Sequence, residues 1–422
     1  MVNLMNTKSK ALKVKVLLLI TGSIAAVRIP LLVSQLVKDN YEIKCVVSEN
    51  AEKLIQPLSL SILSRNNCIL DKDQWSYLHS RPLHIDLCDW ADVLIMAPLT
   101  ATTLSKWVTG NADGLISSIL IANNKPIIVA PAMNSKMWSN KAVQRNYIYL
   151  KDYPNVLILK PSKGILACDE IGVGKIPPND LIQLALKFLL LQNKKPYYRD
   201  LLNKEFLITG GCTSEKIDAA RKITNNSSGT MGLMLAQVAR FRGAKVNYIH
   251  GPLNNKLNIT EGINTYERDN SNDLIQAIEK EISKCDYFIM NAAVADFKIS
   301  GDTSKKIPKS KFEDFLHENI EYVPDILKEI SKVKKENQIF VGFCAFTGSF
   351  KSAKKTIKEK IMLKGCDLLF ANPIDIEDQG FGPLAKNEGW LFDKKNMENY
   401  LEKTSKIELA NNLINEIIST NK

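Results

Sequence analysis

Residues 206–232 read FLITGGCTSEKIDAARKITNNSSGTMG, and the way this run folds decides the architecture of the chain. Phe206 to Thr209 is an apolar stretch of the length of a short buried strand. Gly210 and Gly211 make a turn, a polar loop carries Arg221, which reads as buried, and Ser227-Ser228-Gly229 opens a helix. A strand that passes through small residues into a helix start is a nucleotide-fold opening: backbone N–H groups can approach a phosphate, and the helix N-terminus adds about half a positive charge. The full G-x-G-x-x-G spacing is absent, so nothing here demands a dinucleotide. Lying in mid-chain, the run begins a second α/β unit.

Upstream of it, an apolar strand from Val14 leads into a T-G-S-I-A-A turn, a helix over Ile24–Lys38 and a strand over Glu42–Val47. Further strands are predicted at Val93–Ala97, Ile127–Ala130 and Val156–Leu159, with helices at Thr103–Val108, Leu115–Ala122, Lys141–Lys151 and Leu181–Leu191. Downstream, a helix over Gly232–Arg242, a strand at Lys245–His250, a helix over Asn272–Lys284 and a strand at Tyr287–Asn291 repeat the plan. A charged stretch, FKISGDTSKKIPKSK, interrupts it before strands at Ile339–Phe343 and Asp367–Ala371, with a helix over Ser352–Lys364 between them and a last helix over Leu409–Ile418. This alternation gives parallel sheets covered on both faces. The expected fold is therefore α/β, with two doubly wound, mostly parallel-sheet Rossmann-like domains: a leader over 1–12, a first domain over 13–191, a polar linker over 192–204 containing Pro196, and a second domain over 205–422.

The chain has 422 residues, 45% of them hydrophobic and 24% charged, which is room for two or three ordinary domains with real cores. Its formal net charge is +11, but no arginine-rich run or interleaved basic and aromatic stretch concentrates it, so small anionic substrates fit better than nucleic acid. Eight cysteines without a C-x-x-C pair argue against a zinc site and a disulfide framework, and for a reducing, cytoplasmic compartment. The only early apolar run, VLLLI, is too short for a signal h-region or a membrane span.

The mid-chain run resembles the signature of phosphopantothenate–cysteine ligases, T-x-G-x-T-x-E-x-I-D-x-x-R followed by N-x-S-S-G-x-M-G. Thr209, Gly211, Thr213, Glu215, Ile217, Asp218, Arg221, Asn225, Ser227, Ser228, Gly229, Met231 and Gly232 match it in order. That family activates a carboxylate with CTP, forming an acyl-cytidylate and pyrophosphate, and then lets the amine of L-cysteine displace CMP. The resemblance extends to an A-A-V-A-D run at Ala292–Asp296 and a K-I-x-K loop at Lys306, Ile307 and Lys309. It implies that Lys306 neutralises the triphosphate and that Arg221 and Asn225 hold the acyl intermediate. Asn291, Ala292, Ala293, Asp296, Phe343, Lys360 and Lys364 would contact CTP, with Mg2+ as the triphosphate's counter-ion and no dedicated metal cage. A basic loop is by itself more often a solvated face. Pro308, Phe346 (in VGFCAFT) and Pro373 depart from the family pattern, and motivate the alternative that the second half is a decayed, non-catalytic assembly module.

In the first half, APLTATTLSKWVTGNADGL (97–115), APAMNSKMW (130–138) and GILACDEIGVGKIP (164–177) are similar to the flavin-dependent cysteine decarboxylases. This resemblance implies a flavodoxin-like domain that binds FMN through Gly22, Ser23, Ile24, Ser48, Thr100, Ala101, Thr102 and Thr103; the family usually has asparagine at the position of Thr102. The substrate implied is phosphopantothenoylcysteine, oxidised at its thiol, decarboxylated and reduced again. His84, in HIDLCDWAD, matches the family's active histidine, although a lone histidine in such a pattern is commonly structural. Asn134 reads either as a helix cap, using its side-chain oxygen, or as a clamp whose amide faces a carboxylate. Cys168, flanked by Asp169 and Glu170, reads as a proton donor rather than a nucleophile. Together the two resemblances imply a fused enzyme of coenzyme A biosynthesis acting on phosphopantothenate, CTP and L-cysteine. They also imply a homo-oligomer, with trimeric flavin domains, dimeric ligase domains and FMN at a subunit boundary.

Overall fold

The structure, a computed structural model, describes residues 13–192, 199–253, 259–382, 386–395 and 397–420. The leader expected over 1–12, the linker residues 193–198 and residues 383–385 lie outside these. The chain divides between residues 198 and 199 into two compact units.

The first unit is built on six parallel strands: β1 (Lys15–Ile20), β2 (Glu42–Val47), β3 (Ile69–Leu70), β4 (Val93–Leu99), β5 (Ile127–Pro131) and β6 (Val156–Ile158), in the order β3-β2-β1-β4-β5-β6. β4 is buried at every residue, which is why its sequence is an unbroken apolar run rather than an alternating one. Leu17, Leu19, Leu94, Met96, Ile127 and Val129 pack against Leu83, Leu87, Ile116 and Ile119 of the covering helices. The helix expected from Ile24 begins as a 3-10 turn, Ile24–Arg28, and becomes α-helical over Ile29–Lys38. Its Pro30 lies in the first turn, where a missing N–H is tolerated.

The second unit orders its main sheet β13-β12-β9-β14-β17-β18-β19-β20. Here β9 is Glu205–Gly210, β12 Lys245–His250, β13 Asn264–Glu267, β14 Tyr287–Met290, β17 Ile339–Phe346, β18 Leu368–Pro373, β19 Asn387–Asp393 and β20 Glu398–Thr404. In this sheet β13, β12, β9, β14, β17 and β18 are parallel, whereas β19 and β20 add antiparallel strands at one edge, an addition the sequence pattern did not reveal. With no helix between these last strands, the chain can only turn straight back, and the Asp393 carboxylate organises that turn by accepting the N–H groups of Lys395 and Met397 at 2.9 and 2.8 Å. The charged stretch forms a small hairpin, β15 (Phe297–Ile299) with β16 (Ile320–Tyr322), and the loop after β9 another, β10 (Ser214–Lys216) with β11 (Lys222–Thr224).

Both units use one device to seat their central strands. The Asp92 carboxylate, just before β4, accepts the N–H of Lys15 at 3.0 Å, and Asp286, just before β14, accepts that of Glu205 at 2.8 Å. In each case an orphan donor at the start of the first strand is satisfied by the residue preceding its neighbour.

An antiparallel hairpin in the first unit, β7 (Ser162–Ile165) with β8 (Ile171–Lys175), lies across the segment after β5, and the Met133 N–H donates to the Gly174 carbonyl at 2.9 Å. Two glycines permit this approach: a Cβ on Gly174 would stand 2.0 Å from the Met133 carbonyl oxygen, and one on Gly172 would stand 2.0 Å from Ser135 Oγ. Gly174→Ala should therefore destabilise the protein by about 1–3 kcal/mol, the usual cost of overpacking. Gly164→Ala in the same hairpin, where the nearest atom is a flexible Lys175 carbon at 3.4 Å, should be nearly neutral. Chemical denaturation of the two variants checks this, and equal midpoints would contradict it.

Candidate active sites

In the first unit the strand order reverses between β1 and β4, so the loops leaving their carboxyl ends diverge to opposite faces and open a crevice, the place where ligands bind open α/β sheets. Three short helices start around it, each capped by a hydroxyl. Ser23 Oγ accepts from Ala25 N at 3.4 Å, Ser48 Oγ from Ala51 N at 3.3 Å, and Thr100 Oγ1 from Thr103 N at 3.3 Å while donating to Thr103 Oγ1 at 3.1 Å. Gly22 is needed by its neighbour as well: a Cβ there would stand 2.5 Å from Asn50 Cβ.

A cavity of about 560 Å3 adjoins this crevice, lined by Ser23, Ile24, Arg28, Met133, Asn134 and Cys168 among others. Asn134 answers both sequence readings at once. Its Oδ1 caps helix Ser135–Ser139 by accepting the Lys136 N–H at 2.8 Å, while its Nδ2 is turned the other way and donates to Cys168 Sγ at 3.2 Å. Cys168 is exposed at the tip of the β7–β8 hairpin, next to Asp169 in the left-handed region at φ 61°. Its other acidic neighbour, Glu170, is paired with Lys136 at 3.1 Å. The site thus joins residues 34 positions apart through the glycine contacts of β8.

His84 is not brought to this cavity. It sits in the first turn of helix Leu83–Trp90, and its Nδ1 is buried without a hydrogen-bond partner. Of the flavin set, only Ser23 and Ile24 line the cavity itself. Gly22, Ser48, Thr100, Ala101 and Thr103 surround the adjoining strand ends, and Thr102 is solvent-exposed. Hydroxyls and helix starts at three adjacent strand ends fit a phosphate, and a roomy wall of Ile24, Ala132, Met133, Ile165 and Leu166 fits a flat aromatic ring.

In the second unit the signature residues are mostly lacing. Thr209 Oγ1 accepts the N–H groups of both Asn291 and Ala292 at 3.1 Å; Ala293 N–H donates to Gly211 O at 2.9 Å, and its carbonyl accepts Thr213 N–H at 3.1 Å. Thr213 Oγ1 takes Ala295 N–H at 2.8 Å, and Asn225 Nδ2 donates to Val294 O at 3.0 Å. Glu215 accepts the Ser271 N–H at 2.8 Å at the start of helix Ser271–Glu281.

Arg221, which reads as buried in the sequence, keeps a side chain 36% exposed; its partner Asp218 is the buried one, because that carboxylate is the hub of the loop. Asp218 accepts from the Arg221 guanidinium and from the N–H groups of Ala220, Arg221 and Ile307. The Arg221 guanidinium beside it, with those amides, holds its carboxyl well below the usual carboxylate range, so it stays charged at any working pH. Arg221 also donates to the Ile307 carbonyl at 2.9 Å and lies 3.7 Å over the Phe312 ring, which holds the basic loop from both sides. Lys306, next in that loop, is exposed and free to reach outward.

Ala292, Asp296, Phe343 and Lys364 line a cavity of about 260 Å3, where Lys364 is paired with Asp325 at 2.6 Å. Lys360, one turn earlier on helix Phe350–Lys364, points elsewhere, donating to Cys344 Sγ at 3.4 Å. Phe343 and Asn291 also line a smaller cavity of about 50 Å3 at the start of helix Thr230–Phe241, together with Ser228, Asn372, Asn387 and Lys406. Lys406 is the residue that sequence reasoning missed. It is only 6% exposed, its ammonium donates to the Gly382 carbonyl, and burial pushes it down to about 8. The available signal was a lysine directly after the helix-capping Ser405 on the face that continues with Leu409, Ala410 and Leu413.

Phe346 lines neither cavity. It packs in a ring cluster with Phe350 and Trp390, and Pro373 is its cross-strand neighbour. Among the described residues, no three His, Cys, Asp or Glu side chains are grouped to hold a metal ion, and no helix is long and apolar enough to cross a membrane.

The Flavoprotein family model matches residues 4–189, and that of the DNA/pantothenate metabolism flavoprotein C-terminal domain matches residues 201–420. The chain is 35% identical to the coenzyme A biosynthesis bifunctional protein CoaBC of Borreliella burgdorferi, over 94% of this chain and 97% of that protein. To the protein of the same name from Bacillus subtilis it is 33% identical, over 96% and 97%. Among solved structures it is similar to a PPC decarboxylase mutant complexed with pantothenoylaminoethenethiol, at 33% identity, 42% of this chain, 99% of that one and a TM-score of 0.39. It is also similar to a C-terminal domain of CoaBC, at 29% identity, 52% and 98% coverage and a TM-score of 0.42. Matched along nearly all of its length, the chain belongs to the family of coenzyme A biosynthesis bifunctional proteins.

Proposed function

We propose that residues 205–422 join L-cysteine to phosphopantothenate at the expense of CTP, and that residues 13–191 decarboxylate the resulting phosphopantothenoylcysteine to phosphopantetheine, with 192–204 as the linker. As a member of its family, the chain is a bifunctional enzyme, a decarboxylase and a ligase of coenzyme A biosynthesis. The single observation that carries the first activity is the Asn134 amide and the Cys168 thiol meeting at 3.2 Å over an apolar cavity beside three capped helix starts.

FMN, when bound, supplies two-electron oxidation and reduction of the substrate's cysteinyl carbon–sulfur unit. Gly22, Ser23, Ile24, Ser48 and the Thr100–Thr103 turn would hold it. With its oxygen committed to the cap, Asn134 presents N–H donors that orient the substrate carboxylate, and the Cys168 thiol holds the proton delivered to the substrate carbon in the reductive step. Ile24, Met133 and Leu166 supply an apolar wall beside the reacting atoms. His84, which does not line its own chain's cavity and has Nδ1 unpartnered among the described residues, acts across a subunit boundary, in keeping with a trimer of flavin domains. The ligase units pair as dimers.

For the ligase, Lys306 neutralises charge on the triphosphate, which brings Mg2+ as its counter-ion. Asp218 and Arg221 set the loop that carries Lys306. Phe343, Asn291, Ala292, Ala293, Asp296 and Lys364 form the nucleotide wall, with Lys360 behind it. Asn225 orients the acyl-cytidylate for the amine. A decayed ligase half finds no support here: Phe346 and Pro373 are buried register partners that line neither cavity of this unit, and Pro308 begins a regular 3-10 turn over Lys309–Lys311.

Three outcomes are expected. The purified protein is yellow, and a fragment ending at Gln192 retains FMN by absorbance; a colourless full-length protein that cannot be loaded would overturn the flavin assignment. Cys168→Ser slows reduction far more than carbon dioxide release, because a hydroxyl is a far weaker acid than a thiol, so an oxidised decarboxylated product accumulates and is seen by mass spectrometry. In the ligase, Lys306→Gln suppresses CTP-dependent pyrophosphate release, whereas Asn225→Asp still releases pyrophosphate but forms little amide, each losing roughly 2–4 kcal/mol of barrier stabilisation. Both variants blocking the same step would contradict the division of roles.

A further inference from the structure

The cavity at the start of helix Thr230–Phe241 contains a charge that the fold does not neutralise. Lys406 is nine-tenths buried and lines this space, yet its ammonium forms no ion pair among the described residues; its one hydrogen bond goes to a neutral carbonyl, that of Gly382. An ammonium has three N–H donors, so two remain to be satisfied. Burying a cation without a counter-ion costs several kcal/mol, and the depression of its pKa to about 8 reflects that desolvation. A lysine with a purely structural purpose would be served better by a carboxylate or by replacement with a thioether.

Three features around the ammonium complete an anion site. The facing wall is Ser227 to Met231, the entry to a helix of 12 residues, whose first N–H groups have no intrahelical acceptors. Gly229 is left-handed there at φ 74°, and a Cβ on it would stand 2.4 Å from Leu253 Cδ2 and 3.2 Å from the Gly211 backbone, so this entry has room only for glycine and leaves the backbone bare on the cavity wall. The remaining walls offer the amides of Asn291, Asn372 and Asn387 and no carboxylate. At about 50 Å3 the space suits one tetrahedral group rather than a nucleoside. It shares Phe343 with the 260 Å3 cavity, which has room for the rest of a ligand.

We propose that Lys406 is a phosphate-binding residue of the ligase unit, its ammonium and the amides at the start of helix Thr230–Phe241 holding one phosphoryl group of a reactant between them. The inference rests on the ligase reading above and adds to it a cation from the last helix of the chain, far in sequence from the basic loop. Two reactants carry such a group, the nucleoside triphosphate and the phosphomonoester of phosphopantothenate.

Calorimetric titration of the full-length protein with Mg2+–CTP and, separately, with phosphopantothenate distinguishes the two sources. Two variants are compared with the wild type: Lys406→Met, which keeps the stem and removes the charge, and the isosteric Asn387→Asp, which sets a competing carboxylate in the same wall. Each variant should weaken one of the two ligands at least tenfold, the same one in both, and leave the other within threefold. Neither should lower the melting temperature, since each relieves an uncompensated buried charge. Wild-type affinity of both variants for both ligands would overturn the role of Lys406 while leaving the ligase reading intact. Unfolding of both variants would make Lys406 a structural cation and overturn it as well. Failure of the wild type to bind either ligand would instead strike the ligase reading, and this inference with it.

Discussion

A threonine hydroxyl at the end of the first strand ties each unit across the point where its strand order reverses. Thr21 Oγ1 donates to the Pro98 carbonyl at 2.6 Å, joining the ends of β1 and β4; Thr209 Oγ1 accepts two successive amides, those of Asn291 and Ala292, joining the ends of β9 and β14. Parallel strands at a switch point send their following segments to opposite faces, so the backbone there has donors and acceptors with no ladder partner. A short side chain carrying both a donor and lone pairs satisfies them without filling the crevice. Both threonines are almost wholly buried, and the loops they fix carry residues that line a cavity in each unit, Ser23 in the first and Ala292 in the second.

That constraint explains why the ligase signature is conspicuous in sequence and quiet in chemistry. Thr209, Gly211, Thr213, Glu215 and Asp218 all spend their polar atoms on the neighbouring loop or helix. Arg221 belongs partly to the same group, with its guanidinium shared between Asp218, Ile307 and the Phe312 ring. What the lacing delivers is the exposed Lys306, on a loop whose two ends are fixed. The effect is preorganisation: the ordering cost of a charged loop is met by a buried, permanently ionised carboxylate before any ligand arrives.

Much of the fold was legible because buried parallel strands leave unbroken apolar runs; β4, β12 and the helices at Leu115–Ala122 and Lys141–Lys151 stand where the pattern put them. The short antiparallel pieces were not. β7 and β8 are four and five residues long, contain three glycines between them and are only partly buried, so they carry neither a period of two nor an apolar run. Yet that hairpin is what brings Cys168 to Asn134. The residue types of the site could be read from local motifs, but their meeting depends on a backbone contact at Gly174 that no pattern encodes. Lys406 was hidden for a different reason: a lysine at a helix start reads as solvated, and only the tertiary fold, which sets its ammonium against the Gly382 carbonyl beside a cavity it shares with Gly380, Phe381 and Asn387, makes it a buried cation. Arg221 erred in the other direction, since burial belongs to the acid of that pair.

The departures at positions 346 and 373 look like two separate losses in sequence and become one local event in the fold. Phe346 and Pro373 are register partners at the ends of β17 and β18. Around Phe346 the surroundings are rings: Phe350 and Trp390 stack at 3.8 Å with their planes 5° apart, and Phe346 lies within 6.0–6.4 Å of both. A carboxylate at this position would be desolvated against aromatic faces, whose negative quadrupole repels it, so an acidic residue here would require different neighbours. Pro373 fits the same patch because it comes at the strand's last residue, where the loss of a ladder N–H costs least. The two changes are thus one apolar repacking of a sheet corner, and Phe343, three residues earlier on the same strand and lining both cavities of this unit, keeps its own contact with Phe370.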